Sequence, residues 1–294
     1  MRMVWMAAAA LPWPLAAQQK VDIRRFTAPD ISIRVTGAFA SLRIVGWAKD
    51  SVAVTGTLPK AARFEAYFGD NVSVPAHGAK MYVEAPNDNA SAAVGELELR
   101  VPLKARVWAK SGSARIEADG VTGGLDLNIV GGSVRVTGTP RELNVESMDG
   151  AVTVEGSPSW VRLKTAAGDI TMKGASPDAA FTTVSGTIRV SDGPLERARF
   201  ESVTGSITFA GDIAKAGSLT FDSHSGAVDV QLGAASGAEI DAVTVAGSIE
   251  NRLTNRKPVP SREGRGQEFG TGVGNGEGRL TIRTFKGTIR LSRR

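Results

Sequence analysis

One phrase recurs along the chain, in LNVESMDGAVTVEG (residues 143–156), VRLKTAAGDITMKG (161–174) and ARFESVTGSITFAG (198–211). Each copy starts with alternating apolar and polar residues, passes through a short hydroxyl residue and a glycine three positions later, and ends with a second alternating segment. Because side chains of a β-strand point to opposite faces with period two, each alternating segment predicts a strand with one apolar face. The phrase therefore indicates two short strands joined by a turn.

Nine copies of the phrase can be aligned on the glycine of this turn. These glycines are Gly112, Gly132, Gly150, Gly168, Gly186, Gly205, Gly226, Gly247 and Gly287. The hydroxyl residues that stand three positions before them are Ser147, Thr165, Thr183, Ser202, Ser223, Thr244 and Thr284. We expect each glycine to permit a positive φ or a close backbone approach at a corner. We expect the hydroxyls to point inward and to bond to the backbone or hydroxyl of the next unit.

The repeat predicts an all-β fold, a single-stranded β-solenoid (β-helix) with about nine coils. A unit of two short strands cannot bury its own apolar face, whereas stacked equivalent units share one continuous core. An antiparallel β-sandwich or barrel is the alternative, because strands at intervals of 8–12 residues are typical of those folds as well. Recurrence of the same residue type at the same corner favours the solenoid.

The chain divides into segments by the regularity of this pattern. Residues 18–104 alternate more loosely and are predicted to form an irregular N-terminal β cap or irregular coils. Residues 105–294 carry the solenoid repeats. Residues 252–279, rich in Gly, Arg and Pro, interrupt the period and predict a flexible insertion that leaves the stack. A single short helix is considered over PKAARFEAY (59–67), with proline in its first turn.

Residues 1–17, MRMVWMAAAALPWPLAA, are typical of a secretory signal peptide, with a basic start, an apolar stretch and small residues before Gln18. The apolar stretch is shorter than the roughly 20 residues that a transmembrane helix needs. We therefore predict an exported protein, in the periplasm, on the outer surface or outside the cell, whose mature chain has no transmembrane span.

Composition restricts the chemistry. The 294 residues include no Cys and only two His, so disulfides, thiolate metal sites and a cysteine nucleophile are excluded. The net charge is +5, from 35 basic and 30 acidic residues. Arg115, Arg135, Arg189 and Arg290 fall in one outward column of the alignment and raise nucleic-acid binding as an alternative. Thr and acidic residues interrupt that column, so no nucleic-acid partner is predicted.

The three quoted copies, preceded by GELELRVPLKARVWAKSGSARIEADG (95–120) and closed by GRLTIRTFKGTIRL (278–291), resemble the bacterial putative-adhesin family of β-strand-repeat proteins, a domain of unknown function. The resemblance covers the chain from about residue 30 to the C-terminus. It implies a β-helical exported or cell-envelope protein, and it carries over no catalytic residue.

A carbohydrate-active enzyme, a lyase or glycosidase on a β-helical scaffold, is the alternative function. Glu201 and Asp222 stand at equivalent positions of consecutive copies with His224 close by, and a glycosidase needs two carboxylates about 5–9 Å apart. A solvated polar face explains the same residues and is the interpretation we favour. Trp47, Trp108 and Trp160 are considered as sugar-stacking platforms or as packing residues.

These patterns lead us to expect a non-catalytic, adhesin-like binding or structural protein rather than an enzyme. Its strand faces would be presented to an envelope or surface polymer or to a protein, whose identity the sequence does not give. No cofactor and no metal site are predicted.

Overall fold

The computed structural model describes residues 18–69, 74–85, 95–262 and 265–294. The signal peptide predicted at residues 1–17 lies outside the described residues. Within these ranges every secondary-structure element is a β-strand, and no helix is found that could cross a membrane. The strands are β1 (Gln18–Gly37), β2 (Ser41–Trp47), β3 (Ser51–Pro59), β4 (Arg63–Phe68), β5 (Ala76–Glu84), β6 (Glu96–Pro102), β7 (Arg106–Asp119), β8 (Gly124–Gly138), β9 (Glu142–Ser147), β10 (Ala151–Gly156), β11 (Trp160–Thr165), β12 (Ile170–Lys173), β13 (Ser176–Thr183), β14 (Ile188–Ser202), β15 (Ile207–Ser223), β16 (Val228–Leu232), β17 (Ala238–Thr244), β18 (Ile249–Asn251), β19 (Val259–Pro260), β20 (Gln267–Val273), β21 (Gly278–Thr284) and β22 (Ile289–Arg293).

The fold is β-solenoid-like, because equivalent strands of successive copies pair in parallel and in register. Before the turn glycine, Val145 pairs with Leu127 on one side and Leu163 on the other. After the glycine, Val154 pairs in the same way with Val136 and Met172. We call the strand segments before the turn glycines the first sheet and those after them the second sheet. Parallel pairing of this kind is not formed by hairpins, which join antiparallel strands.

The core is the interior between these two sheets. The apolar columns predicted to face inward are buried along the whole repeat. Phe200 is fully buried, in a layer of aromatic side chains. Its ring centroid lies 4.2 Å from that of Phe221 and 4.9 Å from that of Phe181. Side chains from three consecutive coils therefore stack on one another inside the rod, as a shared core requires.

The first copy is misaligned in the sequence-based register. Gly112 was assigned to the turn column, but Ala114 pairs with Gly132. In the SGSA stretch at 111–114, Gly112 and Ala114 are both compatible with the turn position. Ile116 pairs with Val134 and both side chains are in the core, which places Ala114 at the turn position. The interval from this copy to the next is therefore 18 residues.

The same shift removes Arg115 from the basic column. Arg115 pairs with Ser133, and Glu117 lies beside Arg135 in its place. The outward column thus begins with alternating charge, since Glu117 also pairs with Arg43. A continuous arginine stripe is therefore absent from this end of the described residues.

The C-terminal copy does not lie at the end of the stack, as its position in the chain suggested. Strand β21 pairs in parallel with both β15 and β17, and β22 likewise lies between β16 and β18. The last coil in the chain is therefore inserted between two earlier ones. The copy at 238–251 becomes the terminal coil.

The insertion at 252–279, predicted to be a flexible loop outside the stack, supplies part of the fold. Its strand β20 runs antiparallel to β17, and β19 pairs with β20. Phe269 on β20 is buried. An uncovered terminal coil would present unpaired backbone N–H and C=O groups, and β20 satisfies them on the first sheet.

The N-terminal part mixes stacked and antiparallel strands. The second half of β1 pairs in parallel with β5 and β7, and β2 pairs in parallel with β6 and β7. The first half of β1 pairs with β3, and β4 pairs with β5, in antiparallel fashion. The helix considered at 59–67 is wrong: residues from Arg63 onward form β4, because partner strand β5 offers a full set of backbone hydrogen bonds.

Candidate functional site

The two carboxylates of the enzymatic alternative lie side by side. Glu201 on β14 pairs in register with Asp222 on β15, on the outward face of the first sheet. The Arg199 guanidinium contacts both carboxylates. Its Nε lies 2.5 Å from a Glu201 oxygen, and its Nη2 lies 3.4 Å from an Asp222 oxygen. The Thr182 hydroxyl also donates to Glu201 at 3.2 Å. The pair is therefore charge-compensated, which is typical of a solvated polar face.

His224 lies beyond the strand end, in the turn. Its ring stacks on Phe285, with a centroid separation of 5.1 Å and an interplanar angle of 10°. Its main chain bonds to the coils on both sides, since its N–H donates to the Ser202 carbonyl and its own carbonyl accepts from Lys286. The structure thus places the imidazole in a corner contact, separate from the face that carries the carboxylates.

The turn glycines stack on one another from coil to coil. A Cβ built on Gly168, Gly186 or Gly205 would overlap the carbonyl oxygen of the glycine in the preceding coil. Gly287 lies in this way over Gly226, and Gly247 over Gly287, which repeats the inserted order of the last coils. Of the nine glycines assigned from sequence, Gly132 has a positive φ, of 101°. Close approach is thus the reason for glycine in this column.

The hydroxyl column is buried along its length, and most of its bonds stay within one turn. Hydroxyls donate to the carbonyl of the turn glycine three residues on, at 2.6–2.9 Å, in Thr165, Ser202, Ser223 and Thr284. Thr183 and Thr244 accept from the N–H of that glycine instead. Bonds between coils, which the sequence led us to expect throughout, are found from Thr165 to the Thr183 hydroxyl at 3.0 Å, from Thr183 to the Ala166 carbonyl at 3.4 Å and from Thr244 to the Gly287 carbonyl at 3.4 Å.

An isoleucine interrupts the hydroxyl column. Ile129 pairs with Ser111 on one side and Ser147 on the other. Both serine Oγ atoms are buried without a hydrogen-bond partner in the described part of the chain. The register correction explains why Ser111 was missed, because it precedes Ala114 rather than a glycine by three residues.

An exposed apolar column follows the hydroxyls along the corner. It consists of the residues one position after each hydroxyl site. Backbone hydrogen bonds connect these turns from coil to coil. Val130, Met148, Val184, Val203 and Phe285 are each between 42% and 55% exposed. The sequence analysis missed this column because it reads as turn rather than strand.

A groove of about 1120 Å³ lies on the outward face of the first sheet. It crosses strands β4, β5, β1, β7, β8, β9 and β11, which are neighbours in that order. Two rows of outward residues cross these strands. The first row is Tyr67, Lys80, Arg34, Trp108, Asp126 and Asn144, and the second row is Gly78, Ser32, Arg106, Gly124, Glu142 and Trp160.

Small residues open the floor of the groove in the second row. Gly124 lies between Arg106 and Glu142 in the register, and Ser32 lies between Gly78 and Arg106. A Cβ on Gly124 would be 3.5 Å from Arg106 Cγ and 4.0 Å from Glu142 Cβ, which are ordinary contacts. The absent side chain at Gly124 is therefore not required by packing, and it leaves room above the sheet.

Each tryptophan of the groove is held against a guanidinium. The Arg34 Cζ lies 4.8 Å from the ring centroid of Trp108, and the Arg162 Cζ lies 4.5 Å from that of Trp160. Trp160 is 37% exposed. Such contacts fix the orientation of the indole and place a positive charge beside it. Trp47, the third tryptophan considered from sequence, lies elsewhere, where its Nε1 donates to the Ser51 carbonyl at 2.7 Å.

The acidic groups of the groove are engaged. Asp126 accepts hydrogen bonds from the Asn128 and Asn144 amides, at 2.7 and 3.2 Å. Glu142 pairs with Arg141 at 2.9 Å. At one end, the Tyr67 hydroxyl donates to Glu65 at 2.5 Å, and this bond raises the pKa of Tyr67.

The basic groups of the groove are not neutralised in this way. Arg34, Lys80 and Arg106 form no ion pair with a carboxylate of the described residues. Within the described part of the chain, the groove thus combines two indoles, a tyrosine and three cations without an ion-pair partner.

Sequence reasoning found part of this surface. It singled out Trp108 and Trp160 but missed Arg34 and Lys80, because the pairing of β1 with β5 and β7 follows no repeat in the sequence. It also missed Gly124. Within the described ranges, no cluster of three or more His, Cys, Asp or Glu side chains could hold a metal ion.

Comparison with known proteins gives a family match. The family described as Toastrack DUF4097 matches residues 30–292. None of the curated proteins matches the chain.

Solved structures are similar over nearly the whole chain at low identity. A putative adhesin from Parabacteroides distasonis is 11% identical, with 93% of this chain and 97% of that chain covered and a TM-score of 0.45. A protein of the same organism described as a putative lipid binding protein is 14% identical, with 94% and 97% covered and a TM-score of 0.44. A putative adhesin from Bacteroides fragilis is 9% identical, with 94% and 98% covered and a TM-score of 0.43.

Proposed function

This chain belongs to the Toastrack DUF4097 family, and from that premise we propose that it is a non-catalytic surface-binding protein that holds an extended partner in the groove of its first sheet. The continuous first row, which runs from Tyr67 through Trp108 to Asn144, is the observation that supports this most. A concave surface with aromatic side chains and a few directed polar groups is the usual form of a binding site.

The carbohydrate-active enzyme is less well supported. A glycosidase of either kind uses its two carboxyl groups on the substrate, one as acid and one as base or nucleophile. Arg199 forms ion pairs with both Glu201 and Asp222, and a charge-compensated pair of this kind is typical of a solvated polar face. Glycan depolymerisation by the purified protein, lost in Glu201→Gln and Asp222→Asn, would reverse this preference.

We propose further that the protein is exported, to the periplasm, the outer surface or the medium, after cleavage of residues 1–17. The same proposal divides the chain into an N-terminal cap (18–104) and repeats (105–294), with about nine coils in a single-stranded solenoid. The in-register parallel pairings of the repeat strands from β7 to β22, with β19 and β20 excepted, support this division. The insertion at 252–279 is then a cap for the far end of the rod.

Co-sedimentation with isolated bacterial cell envelopes tests the binding function. The wild-type protein is expected to sediment with the envelopes. Gly124→Val, which fills the groove floor without removing a contact, is expected to stay in the supernatant. Trp47→Phe, a substitution outside the groove, is the matched control and is expected to sediment like the wild type. Equal sedimentation of Gly124→Val and wild type would contradict a role for the groove.

A further inference from the structure

We propose, on the basis of the proposed function, that the partner in the groove is an acidic glycan, a sugar chain that carries carboxylate groups. The chain would lie across the strands, along the long axis of the rod. Sugar rings would contact Trp108 and Trp160, and sugar carboxylates would contact Arg34, Lys80 and Arg106.

The two indoles are spaced for an extended chain. Trp108 is on β7 and Trp160 on β11, three strand steps apart, which corresponds to about 14 Å. The two rows are two residues apart along each strand, or about 7 Å. One small ring cannot contact both indoles at this separation. A linear polymer of several rings can, and the apolar faces of sugar rings are suited to flat aromatic side chains.

The charge of the groove selects an acidic polymer. Arg106 is in the second row, beside Gly124, and Arg34 and Lys80 are in the first row, so cations lie both in the floor row and in the row next to it. A guanidinium binds a carboxylate through two parallel hydrogen bonds, and this pairing is stronger than a neutral hydrogen bond. The carboxylates already present, Asp126 and Glu142, are held by their own neighbours. Among the described residues, the groove therefore has cations available and few carboxylates competing for them.

The floor of the groove gives space for hydroxyl groups. Gly78 is exposed, and Gly124, although buried between its neighbours, adds no side chain to the row. The side chain of Ser32 stands between them and is exposed. Asn144 closes the first row and still has its amide oxygen to accept a hydrogen bond while its nitrogen donates to Asp126. Sugar hydroxyls both donate and accept, and they match this set.

Isothermal titration calorimetry with oligogalacturonate, and with cello-oligosaccharide of equal length as the neutral comparator, tests the proposal. The wild type is expected to bind the acidic chain at least about tenfold more tightly than the neutral one, which corresponds to about 1.4 kcal/mol. Because the paired charges are exposed, affinity for the acidic chain is expected to fall as salt is raised.

Variants assign the contacts. Trp160→Ala, at an exposed site, is expected to weaken binding of the acidic chain about tenfold or more. The double variant Lys80→Gln, Arg106→Gln is expected to weaken it and to flatten its dependence on salt. Trp47→Phe is expected to bind like the wild type. Circular dichroism of each variant shows whether its β-structure is intact.

Two results would overturn the inference. One is equal affinity of the wild type for acidic and neutral chains, and the other is unchanged affinity in folded Trp160→Ala and Gly124→Val. If the wild type still sediments with envelopes through the groove but binds neither oligosaccharide, the ligand class is wrong and the binding function stands. If Gly124→Val sediments like the wild type, the proposed function itself fails.

Discussion

Replacement of Gly186 by alanine tests whether the glycine column sets the spacing of the coils. The added Cβ would overlap the carbonyl oxygen of Gly168 and lie 2.7 Å from its carbonyl carbon. Favourable contacts between carbon atoms are at about 3.5–4.0 Å. Both contacted atoms belong to the main chain, so relief requires the two coils to separate locally by about 1 Å.

Separation on that scale breaks the hydrogen bonds between coils beside the turn. Between the coils of Gly168 and Gly186, the Ser185 N–H donates to the Ala166 carbonyl at 2.9 Å, and the Val184 N–H donates to the same carbonyl at 3.1 Å. An increase of about 1 Å moves such bonds beyond the range of real hydrogen bonds. Each contributes about 1 kcal/mol net, so the loss of two to four of them lowers the free energy of unfolding by about 2–4 kcal/mol.

Urea denaturation followed by circular dichroism measures this change, and Gly124→Ala is the matched control. At Gly124 the nearest atom to a new Cβ is 3.5 Å away, and glycine within a strand costs about 0.5–1 kcal/mol relative to alanine. The control is therefore expected to be as stable as the wild type or more stable. If Gly186→Ala unfolds at the same urea concentration as the wild type, the close approach is not what the turn requires, and the reasoning is refuted.

Three further predictions concern single side chains. Ser147→Ala is expected to leave stability unchanged or raise it, because its buried hydroxyl has no partner among the described residues. Ser223→Ala, which removes a 2.8 Å bond, should lower stability by about 1 kcal/mol; a clear loss of stability in Ser147→Ala, or none in Ser223→Ala, measured by urea denaturation, would contradict this. Phe200→Ala is expected to cost about 3–5 kcal/mol, because it opens a cavity in the aromatic layer, and a change in thermal midpoint no larger than that of a surface substitution would argue against a shared core. The pKa of Asp169 is lowered mainly because its carboxylate accepts a hydrogen bond from the Thr187 N–H. The ionised carboxylate therefore stabilises the fold fully above the pKa of an unfolded aspartate, and this contribution is lost as pH falls through the lower folded-state pKa. Asp169→Asn should flatten the fall of stability at acid pH, and an unchanged fall would show that the carboxylate is not involved.

The sequence could predict the coil because every requirement of the coil is local. Alternation places Val145 and Val154 inside, and the hydroxyl and glycine mark the corner between them. The same information could not fix the first copy, where Gly112 and Ala114 are both compatible with a turn. That choice depends on the neighbouring coil, since the pairing of Ile116 with Val134 decides it. A shift of two residues keeps every side chain on its own face, so alternation alone does not detect it.

The groove was only partly predictable, for a related reason. Trp108 and Trp160 are conspicuous in composition, but the surface between them exists because β1 and β5 join the first sheet beside β7. Strand β5 arrives through a hairpin with β4 that shares no phrase with the repeats. Contacts between segments distant in sequence, without a common pattern, leave no local signal in either segment.

The position of the terminal coil follows from one polar residue in an apolar column. Asn251 occupies the inward site that Leu291 occupies in the paired coil. Its amide donates to the carbonyls of Thr254 and Arg256, at 2.9 and 2.7 Å, and its oxygen accepts from the Leu253 N–H.

These hydrogen bonds hold the chain where it leaves the stack after Asn251. An interior coil has a neighbouring coil on each side and leaves no room for such a departure. A polar group buried there without partners would cost about 1–3 kcal/mol. The copy at 278–291 has the apolar Leu291 at this site and fits between two coils, so the copy with Asn251 is stable at the end. The chain must then pass over the terminal coil (238–251) before it returns into the stack, and β20 is the part of this segment that pairs with the terminal coil.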